Sequence, residues 1–74
     1  MTAREWIDAF AGAIGIDDPD DATVEQMLAL AGEAAHSSER TAAPIACWLV
    51  GRAGLDAAAA LERARTVVAP NSST

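Results

Sequence analysis

The sequence predicts an all-α fold, a compact bundle of four short helices. Apolar residues recur at helical spacing in four successive segments, capping residues open these segments, and Gly15, Gly54 and Pro70 close three of them. Alanine, the strongest helix former, supplies much of the 51% hydrophobic content. The expected helices cover residues 2–14, 21–36, 41–53 and 56–69. They make one domain over residues 1–69, with residues 70–74 as a disordered tail.

The first helix opens on Thr2-Ala3-Arg4-Glu5, a capping box in which the Thr2 hydroxyl meets a free amide and Glu5 reaches back to the cap. Ala3, Trp6, Ile7, Phe10, Ala13 and Ile14 share one face, with Arg4, Asp8 and Ala11 off it, and Gly15 supplies a left-handed stop. The acidic run Asp17-Asp18-Pro19-Asp20-Asp21 lacks the alternate ligand spacing, central glycine and closing glutamate of a calcium loop. It reads as a turn at Pro19 and an Asp cap, with carboxylates favourably placed at a helix N-terminus. In the second helix Val24, Met27, Leu28, Ala31, Ala34 and Ala35 form the stripe, and Leu30 lies off it. Gly32 inside this pattern suggests a close backbone approach.

Pro44 requires the third helix to begin just before it, with Thr41 as N-cap. Ile45, Trp48, Leu49 and Arg52 then share a face, with Cys47 and Val50 set off from it. Gly54 ends this helix, Leu55 packs back over the stop, and Asp56 caps the fourth helix. Its shallow face is Ala57, Ala60, Leu61, Ala64, Val67 and Val68. The expected core therefore rests on few large groups: Trp6, Ile7, Phe10, Ile14, Val24, Met27, Leu28, Ile45, Trp48, Leu49 and Leu61.

At 74 residues, one core gives only about 3 to 5 kcal/mol of net stability, so association with a partner or a second copy fits the size. The formal charge of −6 argues against nucleic acid or an anionic membrane surface, both of which select a basic footprint. Five arginines and no lysine leave no side-chain amine for Schiff-base chemistry. The lone Cys47 excludes an internal disulfide and, beside a single histidine, argues against a zinc site. No basic-then-apolar leader or bilayer-length apolar run is present, and the expected setting is cytoplasmic and reduced.

The densest chemistry lies between the second and third helices. His36, Glu39, Arg40 and Thr41 place a base, an acid, a fixed cation and a hydroxyl within six residues. One reading is an anion or nucleotide site formed by Arg40 and free amides of the third helix. The other is a structural joint in which Ser38 and Thr41 cap amides while Glu39 or Asp56 holds Arg40. With Arg52 on the third helix, these residues are the candidate binding positions. No nucleophile-base-acid set, glycine-rich phosphate loop or positioned carboxylate pair is present, so the chain is not expected to be an enzyme, and no cofactor or metal is expected.

Trp-Ile-Asp-Ala-Phe at residues 6–10, and above all Ala-His-Ser-Ser-Glu-Arg-Thr-Ala-Ala-Pro-Ile-Ala-Cys-Trp-Leu-Val-Gly-Arg-Ala-Gly at residues 35–54, resemble a small bacterial domain-of-unknown-function family. That family occurs alone or joined to proteins resembling molybdenum-cofactor guanylyltransferases. The resemblance covers most of the chain and brings no catalytic residue with it. It implies an accessory protein of molybdenum-cofactor maturation or a small subunit of a molybdenum enzyme. The expected partner is accordingly a larger protein, such as a molybdenum-cofactor nucleotidyltransferase or a molybdenum enzyme.

Overall fold

A computed structural model describes residues 1–67. It is all-α, a bundle of α1 (Ala3–Ala13), α2 (Asp21–Ser37), α3 (Ala42–Ala53) and α4 (Ala57–Ala64). The local start and stop chemistry follows the sequence closely. Thr2 and Glu5 form the capping box, with the Glu5 amide donating to Thr2 Oγ1 at 3.1 Å and the Thr2 amide to Glu5 Oε1 at 2.6 Å. Asp56 accepts from the Ala58 and Ala59 amides. Gly15 and Gly54 both take positive φ, 80° and 69°. Beyond them the Ile16 and Leu55 amides reach back to Ala11 and Val50 carbonyls, so both stops satisfy orphan acceptors as left-handed glycine caps do.

Asp20 caps α2, accepting from the Thr23 amide at 2.7 Å. Hydrogen bonding from Thr23, its hydroxyl first and its amide second, holds the Asp20 carboxyl below the usual carboxylate range. A depressed folded value gives stability that is present above the unfolded value and lost as pH falls through the folded one. We therefore expect the stability difference between wild type and Asp20→Asn, followed by urea unfolding, to shrink as pH drops below about 4. A difference that stays constant from pH 6 to pH 3 would show that the Asp20 charge adds nothing to its cap.

The α4 helix ends earlier than its sequence pattern suggests. The Thr66 hydroxyl donates to the Arg63 carbonyl at 2.7 Å, and the Thr66 and Val67 amides make three-residue turn bonds to Arg63 and Ala64. A side chain that takes the backbone carbonyl three residues before it, followed by β-branched Val67, closes the helix at Ala64. Val67 is then exposed. The expected Val68 and Ala69 turn, the Pro70 stop and the 70–74 tail lie outside the described residues. Gly32 has open space where a Cβ would stand, so no close backbone approach occurs there, contrary to the sequence expectation.

The α2 helix is the hub, packing against both α3 and α4. Among the described residues the buried side chains are Ala11, Leu30, Ala57 and Ala60, with Leu30 only 2% exposed. This differs sharply from the expected core. Ile7, Val24, Met27 and Leu61 are half-buried, while Trp6, Phe10, Ile14, Leu28, Ile45, Trp48 and Leu49 are exposed. The helices meet through small groups instead. Half-buried Ala31, Ala34 and Ala35 of α2, and Ala42, Ala43 and Ala46 of α3, allow a backbone approach that a tryptophan at the seam would prevent.

Among the described residues α1 lacks comparable packing against another helix. A polar tether holds it. Arg4 Nε donates to Asp8 Oδ1 at 3.0 Å, Nη1 to Asp21 Oδ1 at 3.0 Å, and Nη2 to the Pro19 carbonyl. The Asp8 hydrogen bond leads the interactions that raise the Arg4 pKa above its ordinary value. The arc of α1 carrying Arg4, Asp8 and Ala11 therefore turns inward, and its apolar stripe turns out.

Candidate functional site

The α2–α3 corner places His36 in the last turn of α2 and Glu39, Arg40 and Thr41 just before α3, all exposed. Arg52 is exposed in the last turn of α3. No side-chain hydrogen bond or ion pair among the described residues joins any of these five to a partner. Neither structural element of the expected joint forms. Thr41 stands at the N-cap in a helical backbone conformation without a side-chain cap bond. Ser38 Oγ donates back to the Ala34 carbonyl at 2.7 Å, closing α2 rather than opening α3.

The amides expected to be free for an anion are also engaged. Ala42 N–H donates to the Glu39 carbonyl at 2.9 Å and Ala43 N–H to the Arg40 carbonyl at 3.1 Å. Pro44 has no N–H to offer. The first turn of α3 thus satisfies itself, leaving Arg40 as an exposed cation without a converging donor set. Cys47 sits on the half-buried side of α3, where burial pushes its thiol pKa up and away from thiolate reactivity. Among the described residues no group of three or more histidine, cysteine or carboxylate side chains could hold a metal ion, and no helix is long and apolar enough to cross a membrane.

The conspicuous surface is apolar. Trp6 and Phe10, one helical turn apart on α1, stack with ring centroids 5.0 Å apart and planes 19° from parallel. They are 55% and 49% exposed, and Ile14 continues the row. On α3, Trp48 is 62% exposed beside exposed Ile45 and Leu49. These three rings are all the aromatic side chains of the protein. Leu49 also borders an open groove of about 370 Å³ between α3 and α4, with Leu30 in its lining and Arg63 as its one cation.

Helical spacing grouped both sets correctly, Trp6 with Phe10 and Ile14, and Ile45 with Trp48 and Leu49. Their outward direction was invisible in the sequence, because an apolar stripe has the same period whether it meets its own core or another surface. No protein among curated sequences and no solved structure matches the chain. A family model described as a domain of unknown function, DUF6457, matches residues 1–73. By that match over nearly its whole length, the chain belongs to the DUF6457 family.

Proposed function

We propose that this chain is a non-catalytic protein-interaction module, a small accessory subunit that works by docking. The observation that carries the reading is that all three aromatic side chains lie on the surface, in two rows with aliphatic neighbours. Aromatic groups dominate core and interface energetics, and a small core that leaves them outside forgoes much of its available stabilisation unless a partner covers them. The larger partner belongs to molybdenum-cofactor maturation or to a molybdenum enzyme. That assignment rests on the resemblance carried by residues 6–10 and 35–54, and a cytoplasmic setting goes with it.

Co-purification tests the reading. Tagged chain expressed in its native host is expected to retain a molybdenum-cofactor nucleotidyltransferase or a molybdenum enzyme, and Trp48→Asp is expected to reduce the yield about tenfold or more. Retention of neither would overturn the molybdenum assignment. The rival reading, a phosphate-bearing ligand at Arg40 and Thr41, has the exposed guanidinium in its favour and the engaged Ala42 and Ala43 amides against it. Calorimetric titration with guanine nucleotides and pterin phosphates is expected to give no heat. A saturable isotherm abolished by Arg40→Ala would put the ligand reading in its place.

A further inference from the structure

We propose that the surface between the two aromatic rows is closed by a second copy of this chain. The Trp6–Phe10–Ile14 face of α1 packs on the Ile45–Trp48–Leu49 face of the partner copy's α3, and the partner's α1 does the same in return. The inference rests on the docking reading above and names the occupant of these two faces. The α2–α3 corner at Arg40 lies outside both rows, so the larger partner docks on the pair of chains there, and Trp48→Asp lowers its retention by opening the seam between the copies.

Three observations favour a second copy. The first is reciprocity: one chain carries two apolar helix faces, and among the described residues α1 and α3 share at most a weak contact within it. A two-fold axis that brings one face onto the other covers both at once and closes, leaving no row free to propagate. The second is area. Six half-exposed large side chains present roughly 700 Å² per chain, close to the about 800 Å² that each partner contributes to a stable interface.

The third is charge. Nine of the eleven carboxylates lie in residues 1–39, where Arg4 is the one cation. Arg40, Arg52, Arg63 and Arg65 share the remaining residues with only Asp56 and Glu62. A contact of α1 with α1 would set two helices of net negative charge together. A contact of α1 with α3 sets a helix carrying Arg4, Glu5 and Asp8 on a helix whose one charged side chain is Arg52, with Arg63 on the adjoining groove.

Sedimentation equilibrium on the purified full chain tests this, with Trp6→Asp and Trp48→Asp each made separately. Both side chains are exposed, and circular dichroism checks that the variants keep their helices. Wild type is expected at twice its 7.6 kDa chain mass at micromolar concentration. Each variant alone is expected to associate at least about tenfold more weakly. An equimolar mixture of the two is expected to associate more tightly than either, because the mixed pair keeps one seam in which an intact α1 meets an intact α3.

A wild-type chain that stays monomeric at several hundred micromolar overturns the proposal. A dimer whose variants do not complement in the mixture overturns it as well, since like-with-like pairing leaves no intact seam. A monomeric chain that still retains a nucleotidyltransferase or molybdenum enzyme through Trp48 removes the second copy and keeps the docking reading. A monomeric chain that retains neither removes both.

Discussion

Leu30→Ala is expected to leave a large fraction of the protein unfolded at 25 °C. Among the described residues Leu30 is the one large side chain that is buried, at 2% exposed, and it sits on the helix that both α3 and α4 pack against. Truncating a buried leucine costs about 2 to 5 kcal/mol, the sum of lost transfer energy and the cavity left behind. A domain of this size has about 3 to 5 kcal/mol in total, so the loss is comparable with the whole. Leu28→Ala is the matched control two residues away. Leu28 is 67% exposed, and its truncation is expected to change stability by no more than about 0.5 kcal/mol. Urea unfolding at one fixed protein concentration, which keeps any association constant, gives both values. Equal losses, or the larger loss at Leu28, would mean that α2 presents the opposite arc to the bundle.

Arg4→Glu is expected to release α1 while leaving the other three helices in place. The arginine reaches Asp8, Asp21 and the Pro19 carbonyl, and α1 has no comparable helix packing to replace that attachment. A glutamate there faces two carboxylates and a carbonyl oxygen, turning attraction into repulsion. Native-state hydrogen exchange reads the result residue by residue. Amides of α1 are expected to exchange roughly tenfold faster or more, with α2 to α4 little changed, because the tether governs a local opening rather than the global one. Arg4→Met keeps much of the stem and removes the charge, and it is expected to fall between the two. Uniform acceleration across all four helices would instead make α1 part of the single cooperative unit.

Much of the local architecture was legible from residue chemistry alone. Thr2 with Glu5, Asp20, Asp56, Gly15 and Gly54 each act where the chain order places them. A cap involves atoms within three or four residues, so neighbouring sequence contains nearly all that decides it. The corner from His36 to Thr41 was less legible for the same reason in reverse. Which amides remain free there depends on how tightly the chain turns, and the Glu39 and Arg40 carbonyls take the donors that an anion would need.

The sequence by itself determined that the chain is helical, where its helices start, and which side chains share an arc. Periodicity fixes the angle between Trp48 and Ile45 but says nothing of which way the arc turns. Only the tertiary structure decided that. Alanine faces let α3 and α4 approach α2 closely, Leu30 fills the space between them, and the Arg4 tether turns the polar arc of α1 inward. Small residues at a helix seam and large ones outside it obey the same period as the reverse arrangement. The choice between them is made by how closely the backbones pack and by what remains to be covered on the outside.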